Sequence, residues 1–321
     1  RSAFKSYRNE AGIKGSVGGK LFYNGYVALR HFDMDYLYVS EDTLQGFKGS
    51  EQYLGGRMSI TLDSLLEVNT WAEANANGHY RIEGELISPW LEARIKRLQY
   101  APSFLQQAYR ASHDVWGGSG INFRNVQLNQ LSGYLHYKNK FIDLSPGITF
   151  TTLTDYVFFY DDPNTGLEAG QQVLPVQSTG SQIIFSPEVK LAFTFFKHLR
   201  ISGQGIYTRL LENANDAIQL PEFFANSQVA YSNIWFNENF DFQVGVDAHW
   251  HSPYFAMDYD LFIQQFYVQK EYKPKDFPII DIFLNFKMKR ARVFVKYHNL
   301  LNAITQSGYM FTPDYPGQKS V

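Results

Sequence analysis

The stretch Pro187-Glu-Val-Lys-Leu-Ala-Phe-Thr-Phe-Phe-Lys-His-Leu-Arg-Ile-Ser-Gly-Gln-Gly-Ile-Tyr-Thr-Arg-Leu-Leu211 decides the fold. From Glu188 its residues alternate: Glu188, Lys190, Ala192 and Thr194 fall on one side, Val189, Leu191, Phe193 and Phe195 on the other. After the break at Lys197-His198, Arg200, Ser202, Gln204 and Thr208 share a face opposite Leu199, Ile201 and Tyr207. Successive strand side chains point to opposite faces, so two period-two runs across a short break predict an antiparallel hairpin.

The same alternation recurs along the chain and predicts about twelve strands. The clearest places Phe240, Phe242, Val244, Val246, Ala248 and Trp250 against Asp241, Gln243, Gly245, Asp247 and His249. Tyr80, Ile82, Gly84 and Leu86 oppose Arg81, Glu83 and Glu85 in a strand expected to run on to Ile95. Met58, Ile60 and Leu62 begin another, expected to end near Trp71. Residues 11–20, 25–39, 131–138, 141–158 and 229–235 supply further strands, and 282–288 and 291–299 form a closing pair. Residues 40–56 are rich in Gly, Ser and charge and are expected to be a loop; Leu261–Val268 is a candidate short strand.

Short turns near 72–78, 139–140, 197–198, 237–239 and 289–290 are expected to alternate with long loops at 40–56, 99–120, 159–181, 212–225, 251–276 and 300–320. That asymmetry is characteristic of an outer-membrane barrel, with short periplasmic turns and long extracellular loops. Trp71, Tyr80, Tyr137, Phe195, Tyr207, Trp235, Trp250 and Tyr297 lie toward strand ends, where aromatic rings suit the lipid headgroup level. The last strand rises into a long loop. Since single-chain bacterial barrels are even-numbered, the count is expected to rise to fourteen or more, with residues 1–321 as one barrel domain lacking N-terminal residues and a closing C-terminal strand. Such a piece would not span a membrane alone.

Composition agrees. The 321 residues carry a net charge of −2, no cysteine and 17% aromatic residues. No run approaches 18 uninterrupted apolar residues, which excludes helical spans but not barrel strands. Near-neutral charge argues against a nucleic-acid partner, and the lack of cysteine removes disulfide frameworks and thiolate metal sites. The alternative for alternating strands is a soluble β-sandwich, whose apolar faces turn to a finite core and whose turns recur every 8–12 residues. The unequal loops favour the membrane barrel.

Several segments resemble a known family. Ser88-Pro-Trp-Leu-Glu92, Gln99-Tyr-Ala-Pro-Ser-Phe-Leu-Gln-Gln-Ala-Tyr-Arg110 and His113-Asp-Val-Trp116 are similar to segments of the putative porins of Bacteroidota. Phe277-Pro-Ile-Ile-Asp-Ile-Phe283, Lys289-Arg-Ala-Arg292, Lys296-Tyr-His-Asn-Leu300 and Gly308-Tyr-Met-Phe-Thr-Pro-Asp-Tyr-Pro-Gly317 follow in the same order. The resemblance covers the chain from about Gly78 onward. It implies an outer-membrane barrel, and members that are longer at the N-terminus and close with an aromatic-rich strand.

Enzymatic constellations are scarce: there is no G-x-S-x-G elbow, no H-E-x-x-H and no phosphate-binding or dinucleotide glycine loop. An enzyme is therefore not expected, and no cofactor or metal is assigned. His249 and His251 could chelate a metal from one strand face, though a polar face supplies such pairs by default. His113-Asp114 fits loop structure better than acid–base work, and Asp161-Asp162-Pro-Asn-Thr-Gly166 fits an ordinary turn better than a calcium loop.

The informative group lies opposite the apolar faces: Glu188, Lys190, Arg200, Gln204, Asp241, Gln243, Asp247, Asp281, Asn285, Lys287, Arg292, Lys296 and His298. Lys or Arg facing lipid at the bilayer midplane costs about 2–4 kcal/mol, so these residues are expected to line the interior. At fourteen strands the lumen is too wide for side chains alone to fill. The expected function is passive diffusion of small hydrophilic solutes, with outer-membrane lipid as partner and Gln99–Gly120 as a constriction or rim element. The rivals are the barrel of an energised uptake receptor and a non-conducting structural barrel with outer-membrane protein partners.

Overall fold

In the computed structural model a 16-stranded antiparallel sheet organises the chain. The structure describes all residues except 1, 37–46, 63–64, 111–114, 118–121, 162–172, 237–239, 306–309, 314 and 317–321. Fourteen strands form an unbroken meander, each pairing with the next, and two short segments pair beside it. They are β1 (Ser2–Val17), β2 (Leu21–Tyr36), β3 (Phe47–Leu62), β4 (Leu66–Asn75), β5 (Tyr80–Ile87), β6 (Leu91–Tyr100) and β7 (Val126–Leu135). The second half comprises β8 (Ile142–Thr154), β9 (Gln182–Phe195), β10 (Leu199–Tyr207), β11 (Phe223–Trp235), β12 (Phe240–His251), β13 (Ile279–Met288) and β14 (Ala291–Tyr297). Among the described residues no pairing joins β1 to β14.

Twelve expected strands become fourteen because two reversals are hidden in runs that keep alternating. The chain turns between Leu62 and Leu66, which pair across the reversal. It turns again at Ser88-Pro-Trp90. There the Ser88 and Leu91 backbones bond through Ser88 N–H to Leu91 C=O at 2.8 Å, and Ser88 Oγ accepts from Leu91 N–H at 2.9 Å. Pro89 has no N–H to give a ladder, which suits it to the turn. With these reversals counted, the 76–79 turn falls at the long-loop end rather than among the short turns. The segment expected to be a loop at 40–56 is also strand from Phe47 onward. Leu261–Val268 is not one strand. Asp258–Asp260 and Gln265–Tyr267 pair as a small hairpin.

Register fixes which residues share a face. Cross-strand partners link Arg57 to Trp71, Trp71 to Glu83, Glu83 to Lys96 and Lys96 to Gln130. The opposite face is apolar and open, with Ile13, Val27, Leu54, Val229, Val244 and Ile282 all exposed. On β1–β3 this outward face changes character toward the long-loop end. Ile13, Val27 and Leu54 give way, past the mixed row of Asn9, Leu29 and Gln52, to Lys5, Tyr7, His31, Asp33, Ser50 and Lys48. Above the change, outward residues bond one another: Ser50 Oγ lies 2.7 Å from His31 Nδ1 and Lys48 Nζ 3.2 Å from Asp33. Three strands of 16 residues exceed the roughly 9–11 a barrel strand needs to cross hydrocarbon, so their upper parts stand in water.

Glycines admit large rings to the inward face. A Cβ on Gly55 would lie 2.6 Å from the Tyr26 ring, and one on Gly147 2.2 Å from the Tyr134 ring. Each ring covers its glycine on the neighbouring strand, an aromatic-over-glycine device that pins register.

Buried apolar residues gather away from the wall, in the connections at the long-loop end. Trp116, Phe159, Val173, Ile263 and Tyr267 form one cluster; Phe158, Ala217 and Val268 form a second. These residues come from four different connections, so each cluster joins several loops.

Candidate permeation surface

All thirteen residues expected to line the interior lie on one face of the sheet, the face that also carries Arg57, Trp71 and Glu83. Register connects them directly: Lys190 opposes Gln204, Asp247 opposes Asp281, Gln243 opposes Asn285, and Lys287 opposes both Asp241 and Arg292. Glu188, Arg200, Lys296 and His298 share the phase of these residues on their own strands.

Three groups form. Gln204 Nε2 donates to Glu188 at 2.8 Å, while Lys190 Nζ stands 3.6 Å from the same carboxylate and 5.2 Å from the Tyr134 ring. Asp241, Gln243, Asn285, Lys287 and Arg292 surround a cavity of about 140 Å³ together with Ser232. The third group is the tightest. Asp281 is 1% exposed and receives Lys296 Nζ at 2.8 Å, His298 Nδ1 at 2.8 Å and the Asn299 N–H at 2.9 Å. Lys296 also reaches Asp247 at 2.9 Å, and Asp247 accepts from Gln228 at 2.8 Å. A carboxylate buried this far is tolerable because the Lys296 ammonium, the His298 ring and a backbone donor occupy its oxygens. Arg200 joins none of these groups; it opposes Thr194 and Ala230 in register.

The sequence-derived list begins at Glu188 and misses the richer half of the same face. Arg8 binds Glu73 through Nη2 at 2.5 Å, and Tyr26 donates to the same carboxylate at 2.7 Å. Arg30 and the Tyr53 hydroxyl meet on Glu51, at 3.2 and 2.5 Å. Glu83 lies 2.8 Å from Arg81 and 3.4 Å from Lys96; Arg94 contacts Glu85 and Glu92, both at 2.7 Å. The signal was present, since Arg81, Glu83 and Glu85 alternate with Tyr80, Ile82 and Leu86 as cleanly as any later run.

Trp71 corrects the expected aromatic rim. It lies on the polar face, with Arg81 stacked 3.6 Å and Arg57 4.7 Å from its ring centroid, and its Nε1 donates to Tyr26 Oη at 2.9 Å. Placing it outward from its position near a strand end failed because the hidden reversal at 63–65 shifts the end of its strand to Asn75.

At the long-loop end the connections pack on one another and on the first strands. After β6, α1 (Phe104–Gln107) starts with a reciprocal cap between Ser103 and Gln106. Phe104 packs against Phe4 of β1 and Phe32 of β2, at ring separations of 5.7 and 5.2 Å. The loop therefore reaches back over the low β4–β5 turn to the first two strands. Gln106 Nε2 donates to Val157 C=O at 3.0 Å, Tyr109 Oη to Phe262 C=O at 3.0 Å, and Trp116 Nε1 to Leu105 C=O at 2.9 Å. Val268 N–H donates to Phe159 C=O at 3.0 Å, so three connections bond to one another. Burial and a hydrogen bond from its own hydroxyl to Asp258 hold the Tyr267 phenol well above the usual tyrosine range.

The other sequence candidates give no chemistry. His249 pairs in register with Asn226 and Ile279, while His251 meets Tyr254 edge-on at 5.2 Å. Among the described residues no group of three His, Asp or Glu could hold a metal ion. His113, Asp114 and residues 162–166 lie outside the described residues.

Comparison with known proteins gives a family profile described as "Putative porin", which matches residues 1–321. No curated protein matches the chain. Among solved structures, the copper transporter OprC superposes with a TM-score of 0.65 at 10% identity, covering 94% of this chain and 51% of that one. The ferric enterobactin receptor PfeA of Pseudomonas aeruginosa, in complex with BCV-L6, gives 0.66 at 10% identity, with 93% and 49% covered. The FrpB iron transporter of Neisseria meningitidis gives 0.63 at 10% identity, with 99% and 54% covered. At these identities the likeness is one of fold, and the chain spans about half the length of each.

Proposed function

Because the chain belongs to the family described as "Putative porin" and is an all-β barrel protein of the bacterial outer membrane, we propose that it is a passive channel for small hydrophilic solutes. The observation that carries this reading is the inward face. It carries polar side chains along every strand pair from β1 to β14, against an outward face that is open and largely apolar below the upper parts of β1–β3. Charged side chains cost little against water and a great deal against lipid, so a face of this composition supports a water-filled passage.

On this reading the wall supplies paired charges and neutral amides that replace part of a solute's hydration as it passes. The interlocked loops, α1 among them, narrow the entrance and set a size limit. Opposite charges facing one another across strands leave modest net selectivity. Neither a covalent step nor a cofactor enters this mechanism.

The loop core favours one second reading, the barrel of an energised uptake receptor, in which such loops hold a solute before it is drawn inward. The solved structures that share the fold carry transporter and receptor names, which supports the same alternative. Single-channel recording of the folded protein in planar bilayers at two salt concentrations separates the readings. Stable steps that scale with salt are expected for the open channel. A correctly folded barrel that never conducts would sink the porin reading.

A further inference from the structure

We infer that the inward wall of β3–β8 carries a binding subsite for small oxyanions, centred on Arg57, so that solutes bearing a carboxylate or phosphate group are retained over neutral ones. This rests on the inward face being the wall of an aqueous passage. A cavity of about 830 Å³ lies against these strands, lined by Arg57, Trp71, Arg81, Glu83, Arg94 and Lys96 among others. Its charges do not cancel at Arg57. Glu83 is taken by Arg81 and Lys96, and Glu85 by Arg94. Among the described residues no carboxylate lies within the 4.0 Å of an ion pair from Arg57, and no hydrogen-bond acceptor engages it.

Arg57 is nevertheless held in place. Its guanidinium stacks on Trp71 at 4.7 Å. Trp71 is braced from the next strand by Arg81 at 3.6 Å and tied by its Nε1 to Tyr26 Oη, which in turn donates to Glu73. Stacking uses the face of a guanidinium and leaves its in-plane donors free. That planar fork matches two oxygens of one carboxylate or phosphate. Ser59 and Asn69 line the same cavity beside it and add neutral polar groups for the rest of the solute.

The test uses the folded protein, with succinate and inorganic phosphate as probes and glucose as the uncharged control. Trp71 lies against the site, so anion binding is read as the part of the tryptophan emission change that Trp71→Phe removes. Succinate or phosphate should change that emission at millimolar concentration and glucose should not. Arg57→Gln should weaken the response about tenfold or more, and Arg57→Lys by less, since the charge stays while the fork is lost. In bilayers, Arg57→Gln should also shift the reversal potential toward cations. The stronger of the two anions identifies carboxylate or phosphate as the better fit. An unchanged anion response in Arg57→Gln, folded as judged by heat-modifiable migration, would overturn the subsite even if the channel conducts. A lost response in a barrel that never conducts would uphold the subsite and reject the porin reading.

Discussion

The wall built from β1–β6 and the wall built from β9–β14 obey the same alternation but spend their charges differently. In the first, acids and bases pair separately: Arg30 with Glu51, Lys96 with Glu83 and Arg94 with Glu85 join neighbouring strands, Arg81 meets Glu83 along β5, and Arg8 of β1 reaches over to Glu73 of β4. In the second, the best-made contacts collapse into one buried knot around Asp281. Separate pairs such as Arg94 with Glu85, whose side chains are 55% and 30% exposed, each contribute little and can be lost singly. A buried carboxylate concentrates the penalty, because Asp281 would be left charged and away from water without its partners. Charge placement thus makes one wall tolerant and the other brittle.

That contrast can be broken most sharply at Asp281. Asp281→Ala should cost about 2–4 kcal/mol, since the buried Asn299 N–H loses its acceptor and Lys296 and His298 lose a partner; a drop of this size would be seen in the urea midpoint of the folded barrel. If the loss were under 1 kcal/mol, the second wall would be no more brittle than the first. Gly147→Ala should cost about 1–3 kcal/mol, by driving a methyl into the Tyr134 ring. Thermal unfolding would register it, and Tyr134→Ala in the same chain should recover part of the loss.

On the first wall, Glu73→Gln should cost about 1–2 kcal/mol, because Arg8 loses its ion pair while Tyr26 keeps an acceptor. A loss matching that of Asp281→Ala would erase the distinction between the walls. The loop core adds a pH test. The Tyr267 phenol is raised above its unfolded value near 10, so its contribution is fully present below that pH and falls away as pH rises beyond it. Tryptic cleavage at the long-loop end should therefore quicken above about pH 10, and Tyr267→Phe should flatten that response. The smallest effect belongs to the exposed pair of Lys270 and Asp216, where Lys270→Ala should change stability by about 0.5 kcal/mol or less.

Alternation made the strands legible because a half-buried strand must separate its two solvents residue by residue. The runs at 188–195 and 240–250 and the closing pair could be assigned to faces from sequence, and the structure keeps those faces. What stayed hidden was reversal without interruption. Between Leu62 and Leu66, which pair, and at Ser88-Pro-Trp90 the chain doubles back, and the apolar phase resumes so soon that two strands look like one. Trp71 shows the cost of that. A tryptophan near an apparent strand end suits the headgroup level, yet its ring is claimed by two guanidiniums that are distant in sequence. Long-range pairings of this kind, such as Arg8 with Glu73, leave no local trace. The loop core was illegible for the same reason, since Trp116, Phe159 and Ile263 meet only after the wall has brought their connections together.

The change of character on β1–β3 has a consequence outside the membrane. Beyond the row of Tyr7, His31 and Ser50, where polar groups replace most of the apolar outward residues, three strands continue together as a ribbon wetted on its outer side. To an antibody, a phage tail or a protease arriving from outside the cell, the cell-surface landmark of this protein is that ribbon. Outward positions on it, Lys5 and Lys48 for instance, are handles for labelling the protein that face away from the charged wall behind them.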